Sequence, residues 1–413
     1  MALIVMKFGG TSVGDTQRIA NVAEKVSHEV KKGNQVIVVP SAMAGVTNQL
    51  VAFASELSSL DENEKLANAD LTISSGEQIT AGLLALRIQE IGLKARGFAG
   101  WQLPIIASDA FSKARIERIE TENVKKALDS GHVAVITGFQ GITEDGRVVT
   151  LGRGGSDTSA VAIAAAFKAE RCDIYTDVDG VYTCDPRIVT AARKLDVISY
   201  EEMLEMASLG AKVLQTRSVE LAMNHHVKVQ VLSSFEDKPG TLLVPEEDIV
   251  EKQRVTGIAY SRDEARITLS EVADRPGISA AIFGPLAEAN INVDMIVQNV
   301  TPDGKQTDMT FTVSRTDFDR TMKVLESVKK EIGCKSIHTD KNVAKLSIIG
   351  VGMRSHAGVA QELFKTLAAK NINIIVISTS EIKVSVLIEE AYIELALRAL
   401  HTAYGLDAVV EKG

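Results

Sequence analysis

A chain of 413 residues, 45% hydrophobic and 24% charged, has the make-up of a globular protein too long for one core, and its length implies two to four domains. A net charge of −9 with only 4% aromatic residues argues against nucleic-acid stacking surfaces and against adhesion to anionic membranes. No apolar run reaches the length of a membrane span, and the three cysteines, Cys172, Cys184 and Cys334, form no CxxC pair, so a reducing cytoplasm is the expected setting and no metal site is expected.

Up to about Val244, short β-branched runs alternate with longer amphipathic stretches. "ALIVMKF" reads as a strand, and after it Ile19, Val22, Ala23, Val26 and Val30 recur at helical spacing until Gly33 stops the helix. "QVIVVPSA" is the next strand, completing a βαβ unit. "HVAVITGFQG", and then the run from Arg147 through "TLGRGGSDTSA" to "TDVDGV", repeat the theme, which implies a largely parallel sheet. Two helices and a closing strand follow, and the charged, turn-rich stretch near residues 245 to 262 reads as a boundary. His225 and His226 are adjacent and so point apart; they read as structural.

Beyond that boundary the chain repeats itself. "GISAAIFGPLAEANINVDMIVQN" aligns without gaps on "GVAQELFKTLAAKNINIIVISTS", pairing Gly277 with Gly358 and Asn290-Ile291-Asn292 with Asn371-Ile372-Asn373. Each copy reads β-α-β-β-α, with a further short strand expected, and "DAVVEKG" can complete either copy. Both are ferredoxin-like units whose exposed edges favour pairing within or between chains.

Three glycine-bearing loops follow strands of the parallel sheet. "KFGGTSVG" carries Lys7 ahead of Gly9 and Gly10, the reverse of a Walker loop, yet it brings an ammonium and hydroxyls to a helix start where anions are favoured. "LGRGGSDTSA" sets Arg153 among glycines, with Ser156 or Asp157 as a possible N-cap, and an arginine held there suits a carboxylate. "YTDVDGVYTCDPR" reads by itself as a solvated turn. Ser41, Thr47 and Glu77 lie in further loops of this kind, and crevices beyond the carboxyl ends of parallel strands bind ligands.

Taken in order, "KFGGTSV", "SSGEQ", "GFQG", "TLGRGGSDTSA" and "TDVDGVYTCDPR" resemble the aspartate kinases of the amino acid kinase family, and the two C-terminal copies resemble their tandem ACT domains. The resemblance implies an α/β amino acid kinase fold, a mostly parallel open sheet with helices on both faces, over residues 1–250. Two ferredoxin-like βαββαβ ACT domains, 264–340 and 344–413, would follow. It implies transfer of the γ-phosphoryl group of ATP to the β-carboxylate of L-aspartate, the first step toward lysine, threonine and methionine, with magnesium held mainly by the nucleotide phosphates. Lys7 would meet the transferring phosphate, helped by Gly9, Gly10 and Ser12. Arg153 would clamp the α-carboxylate of aspartate and Glu77 its ammonium, with Ser41, Thr47 and Ser156 completing that pocket. Asp157 would orient Lys7 or its loop. Thr176, Asp177, Tyr182, Arg187 and Lys212 would line the nucleotide.

For the ACT copies the resemblance implies feedback by lysine, threonine or both. The effector would sit at the helix start formed by Asp274, Gly277, Ile278, Ser279 and Ala280, near Asn292, Asp294 and Gln298. Asn373, Ile374, Thr379, Ser380 and Glu381 are the counterparts. A homodimer or homotetramer through the ACT domains is implied. Another amino acid kinase, acting on a different acceptor, and a catalytically silent amino acid sensor are the competing readings.

Overall fold

The computed structural model describes residues 1–210, 213–249, 254–301 and 304–407. The chain divides into two compact units. The first comprises 1–181, 194–208 and 212–250; the second comprises 182–193, 209–211 and 251–413. Lys212 and the expected last strand, 408–413, lie outside the described residues. Among the described residues no helix is long and apolar enough to cross a membrane.

In the first unit an eight-stranded sheet runs in the order Val197–Ser199, Thr241–Val244, Val229–Ser233, Arg171–Thr176, Leu3–Phe8, Gln35–Pro40, Val133–Ile136, Ala95–Phe98. All neighbours pair in parallel except Val229–Ser233 with Thr241–Val244. The alternation of the first strand explains how it is covered on both faces. Ile4, Met6 and Phe8 pack with Ile19, Val22 and Val26 of the helix Thr16–Lys31 and with Leu84 and Ile88 of the helix Ser75–Glu90. Lys7 points the other way, toward the helix Gly155–Phe167. The helix Thr16–Lys31 is N-capped by Asp15, which accepts from the N–H of Arg18 at 2.8 Å. Past its end Gly33 takes a φ of +87°, a conformation in which glycine carries no steric penalty.

A four-stranded sheet, ordered Ile116–Ile119, Ile105–Ala107, Gln140–Ile142, Val148–Thr150, stands beside these elements. Ala107, Phe111, Ala114, Val149 and Leu151 form a small core with Ala67 of the helix Asn63–Ile73.

The second unit holds both repeats in one six-stranded antiparallel sheet, ordered Asp294–Val300, Gln306–Val313, Gly257–Ala273, Ser336–Ile349, Lys383–Glu389, Val376–Thr379. The two central strands are long because each serves both repeats. Arg266–Ser270 pairs with Asp340–Ser336 inside the first repeat, whereas Gly257–Ser261 pairs with Ile349–Lys345 of the second. The place beside the first strand of the second repeat is therefore taken by residues that precede the first repeat. Ile282, Leu286 and Leu325 are buried with Ile267, Leu269, Met309 and Phe311 in the first repeat. Leu363, Leu367, Leu397 and Leu400 are buried with Leu346, Ile348 and Val386 in the second.

The segment 182–193 belongs to this second unit, and Cys184 and Val189 join the core of the second repeat. The Thr183 hydroxyl lies 2.9 Å from Nε2 of the buried His401 and also accepts from the N–H of Arg193 at 3.0 Å. Burial keeps the His401 imidazole below its usual pKa of 6.5. The unfolded chain thus takes up this proton before the folded one does, so the stability it carries is present above pH 6.5 and lost as pH falls. Replacing His401→Gln is expected to flatten the decline in melting temperature between pH 7 and pH 5, as measured by calorimetry of the full chain; an unchanged slope would rule out this histidine as the source.

Candidate active site

The loops after Leu3–Phe8 and Gln35–Pro40 leave the carboxyl ends of neighbouring strands of the eight-stranded sheet, and the Arg153 loop leaves Val148–Thr150 of the four-stranded sheet. After Phe8 the chain turns through Gly9 into a short 3₁₀ turn, Gly10–Val13. The N–H of Gly9 donates to the carbonyl of Tyr175 at 3.2 Å, which binds this loop to the end of Arg171–Thr176. Lys7 Nζ reaches Oδ1 of Asp157 at 2.5 Å, and both side chains are about nine-tenths buried. Two opposite charges taken out of water together stabilise each other, while either one alone would be costly there. A Cβ on Gly9 would lie 3.6 Å from Nζ, an ordinary contact distance that places this turn directly beside the ammonium.

The helix Gly155–Phe167 is not capped by Ser156 or Asp157, as the sequence allows. Its N-cap is Gly154, with φ +73° and no side-chain cap. The reason is steric and electrostatic: the left-handed turn needs glycine, a Cβ there would fall 2.0 Å from Gln215 Cγ, and the Asp157 carboxylate is spent on Lys7. Ser156 lies against Gly138 of "GFQG", where a Cβ would approach Ser156 Oγ to 3.0 Å.

Ala42 is the second point of convergence. Its N–H donates to Oε1 of Glu77 at 3.1 Å, its carbonyl would be 2.9 Å from a Cβ on Gly10, and its own Cβ would be 2.8 Å from one on Gly76. Glycines at 10 and 76 thus let two loops and the first turn of the helix Ser75–Glu90, where Glu77 sits rather than in the expected loop, close on one residue and bring Ser41, Gly10 and Glu77 together. Glu77 is 3% exposed, and its Oε2 has no hydrogen-bond partner among the described residues. Burial pushes its carboxyl up to about 7, with the Ala42 N–H opposing that rise. Arg153 lies exposed on the loop between Val148–Thr150 and the helix Gly155–Phe167, and has neither ion-pair nor hydrogen-bond partner among the described residues. Thr47 stands in the first turn of the helix Val46–Leu57, behind Gly45 at φ +84°.

Some contributors escaped sequence reasoning. Ser234 Oγ bonds Ser12 Oγ at 2.5 Å and its N–H donates to the carbonyl of Thr176 at 2.8 Å, joining the first loop to the third. Nothing local marks it; only the pairing of Val229–Ser233 with Arg171–Thr176 brings it there. Gln140 Nε2 donates to the carbonyl of Ser74 at 3.0 Å. Asp70 is signalled by its position, since it falls on the buried face Ala67, Asp70, Ile73 of an otherwise ordinary amphipathic helix.

Thr176 ends its strand and Asp177 is exposed directly after it. Tyr182 and Arg187 belong to the second unit. There the Arg187 guanidinium holds Asp185 through Nη2 at 2.8 Å and Nε at 3.0 Å. Among the described residues no group of three or more His, Cys, Asp or Glu is placed to hold a metal ion.

In the second unit Asp274, Gly277, Ile278, Ser279 and Gln298 line a cavity of about 400 Å³, together with Arg275 and Pro276 of the same stretch. Gly277, at φ +90°, is the N-cap of the helix Ile278–Glu288. Asp294 is drawn elsewhere: its carboxylate bonds Lys345 Nζ, which also lies 3.1 Å from Glu264. Ala280 and Asn292 do not line that cavity. In the second repeat Glu381 pairs with Arg354 at 3.2 Å, beside Thr379 and Ser380, while Asn373 and Ile374 precede the edge strand Val376–Thr379.

Residues 2–233 match the amino acid kinase family, and residues 266–330 and 346–404 each match an ACT domain. The chain is 52% identical over 414 residues to an aspartate kinase of Pseudomonas fluorescens, covering 100% of both chains. The chain belongs to the aspartate kinase family. An aspartokinase of Helicobacter pylori is 49% identical over 98% of this chain and 100% of its own. Among solved structures, E. coli aspartokinase III in complex with aspartate and ADP, in the R-state, superimposes with a TM-score of 0.81 at 28% identity, covering 97% and 99% of the two chains. The same enzyme with lysine and aspartate, in the T-state, gives 0.75. As an aspartate kinase the chain is a phosphotransferase with a carboxyl acceptor, carrying ACT regulatory domains.

The buried Glu77 carboxyl leads to a stability prediction. The folded chain holds this proton between pH 4.5 and about 7 where the unfolded chain does not, so stability falls as pH rises through that window. Glu77→Gln, which keeps the acceptor for Ala42, is expected to stabilise the kinase unit by on the order of 2 kcal/mol at pH 8 and to leave it unchanged near pH 4.5. Thermal melts of both chains at the two pH values check this, and equal gains at both would contradict it.

Proposed function

We propose that Lys7 neutralises the migrating phosphoryl group of ATP while Arg153 and Glu77 hold L-aspartate by its α-carboxylate and ammonium. The observation that carries this reading is the buried Lys7–Asp157 pair at the carboxyl end of the central strand, which fixes an ammonium beside Gly9, at the start of the loop that carries Gly10 and Ser12. Ser41, Thr47 and Ser156 complete the acceptor pocket, and Thr176, Asp177, Tyr182, Arg187 and Lys212 line the nucleotide.

In this reading the β-carboxylate of aspartate forms an O–P bond to the γ-phosphorus as the bond from that phosphorus to the β,γ-bridging oxygen breaks. The products are 4-phospho-L-aspartate and ADP. The acceptor is already ionised at neutral pH, so no proton is removed and no general base is needed. Catalysis then consists of alignment and of charge placed where the transferring group passes. Magnesium enters with ATP, held mainly by phosphate oxygens, and a protein-built cage is not required. The working division is a kinase domain over 1–250 and ACT domains over 264–340 and 344–413. A cytoplasmic setting and a place at the head of lysine, threonine and methionine synthesis accompany this assignment.

The test is incubation of the full chain with ATP, magnesium and either aspartate or glutamate, trapping acyl phosphate with hydroxylamine. Hydroxamate is expected with aspartate alone, and Lys7→Ala is expected to lower kcat at least about a hundredfold while the chain remains folded by circular dichroism. Product from glutamate but not aspartate, or full activity in Lys7→Ala, would defeat the assignment.

For regulation we infer that an amino acid effector takes the cavity at Gly277, its carboxylate meeting the helix start and Arg275. Asp274, Ile278, Ser279 and Gln298 line it in the first repeat, while Ala280, Asn292 and Asp294 lie outside it. Asn373, Ile374, Thr379, Ser380 and Glu381 serve the second, with a homodimer or homotetramer forming through the ACT domains. The E. coli enzyme solved with lysine supports lysine as one effector. Titrating the aspartate kinase assay with lysine and threonine, singly and together, is expected to lower activity at millimolar or lower concentration. Arg275→Ala should weaken that inhibition about tenfold without changing uninhibited turnover, and unaltered inhibition would remove the cavity from consideration.

A further inference from the structure

We propose that Asp70 is a positioning residue of the acceptor pocket: it sets the location of Arg153 relative to Glu77 without touching either substrate. This rests on the assignment of Arg153 and Glu77 to aspartate given above.

Asp70 is fully buried on the helix Asn63–Ile73 and has no ion pair among the described residues. A carboxylate in such a place is costly unless its lone pairs are filled, and here four donors fill them. Oδ2 accepts from the N–H groups of Ser112 and Thr150, each at 2.8 Å. Oδ1 accepts from the Thr150 hydroxyl at 2.8 Å and the Ser112 hydroxyl at 3.2 Å. Neither donor residue is an ordinary anchoring point. Ser112 holds a φ of +65°, strained for a residue with a side chain, and Thr150 is the last residue of the strand that runs into the Arg153 loop.

From Thr150 the restraint passes along the chain to the backbone that carries Arg153. The Thr150 carbonyl accepts from the N–H of Ala114 at 3.0 Å, and the Leu151 N–H donates to Phe139 at 2.9 Å. Arg217 spans both sides, donating to the carbonyls of Leu151 and Ala114 at 3.0 Å each. Gly152 then passes so close to the carbonyl of Ser112 that a Cβ would lie 3.1 Å from it. The Arg153 loop therefore starts from a backbone tied to Asp70 both directly and through Ser112.

On its own helix Asp70 sits one turn before Ser74, the joint between Asn63–Ile73 and Ser75–Glu90. The Ser74 carbonyl is fastened by Gln140, and Glu77 lies in the first turn beyond. One buried carboxylate thus refers the guanidinium and the acidic end of the pocket to a common point. A shift of about 1 Å in such a clamp can cost on the order of a hundredfold in rate, so a group that removes the slack governs acceptor binding although it never meets the acceptor.

The experiment measures KM for aspartate and for ATP in the full chain carrying Asp70→Ala, Thr150→Val, Arg153→Ala and the two doubles with Arg153→Ala. Asp70→Ala is expected to raise the aspartate KM about tenfold or more and Thr150→Val several-fold, with the ATP KM within about twofold of the parent. On the Arg153→Ala background neither should raise the aspartate KM further, because the clamp they position is gone. Equal rises in both KM values, a fall in kcat with both KM values unchanged, or effects that multiply with Arg153→Ala would each overturn the inference. An aspartate KM raised by Arg153→Ala but normal in Thr150→Val would leave the clamp standing and overturn the role of Asp70. An unchanged KM in Arg153→Ala would defeat the clamp, and with it the positioning role. Thr150→Val keeps the carboxylate and three of its donors, so it decides the matter should Asp70→Ala fail to fold.

Discussion

The ion pair between Lys7 and Asp157 is the constraint on which the kinase unit turns. It joins the central strand to the helix that starts under the Arg153 loop, and it does so where neither charge has water to fall back on. Because the strand alternates, committing Lys7 to this face commits Ile4, Met6 and Phe8 to the other, where two helices close over them. The same choice orders the loops around it. Gly154 must take over the cap that Asp157 gives up, and Gly10 and Gly76 must let their neighbouring segments close on Ala42. A phosphoryl transferase that needs no base can be built from such parts, since its task is to hold charge still.

The regulatory unit solves a different problem. Each repeat alone offers a short sheet with bare edges, and the two long strands remove one edge from each by running through both. The cost is that Gly257–Ser261, far from the second repeat in sequence, becomes part of its sheet. The segment 182–193 is drawn into the same core through Cys184 and Val189, so residues close in sequence to Thr176 and Asp177 are held by the packing of the second repeat.

Much of this was legible in the sequence because local chemistry determined it. Helical periodicity marked Thr16–Lys31, the gapless repeat marked both ACT copies, and the glycine loops marked the turns beside Lys7 and Arg153, whereas Glu77, expected in a loop, lies in the first turn of the helix Ser75–Glu90. What could not be read depended on partners distant in sequence. From its neighbours alone Asp157 read as a cap, its tie to Lys7, 150 residues earlier, coming only from the resemblance, and Ser234 gave no sign until a strand pairing carried it to Ser12. Asp294 looked free to meet an ammonium, but Lys345, from the other repeat, already holds it. Asp70 was visible only as a charge on a buried stripe, a pattern that local propensity cannot interpret.

The interleaved sheet also has a bearing on how the chain is made. During synthesis Gly257–Ser261 leaves the ribosome some eighty residues before its partner Lys345–Ile349 exists, and the intervening repeat can complete itself first. The second repeat then assembles onto a finished neighbour that presents the waiting strand as a template. Such long-range pairing slows folding, and it makes the nascent edge a place where a chaperone or a second nascent chain finds an unpaired backbone.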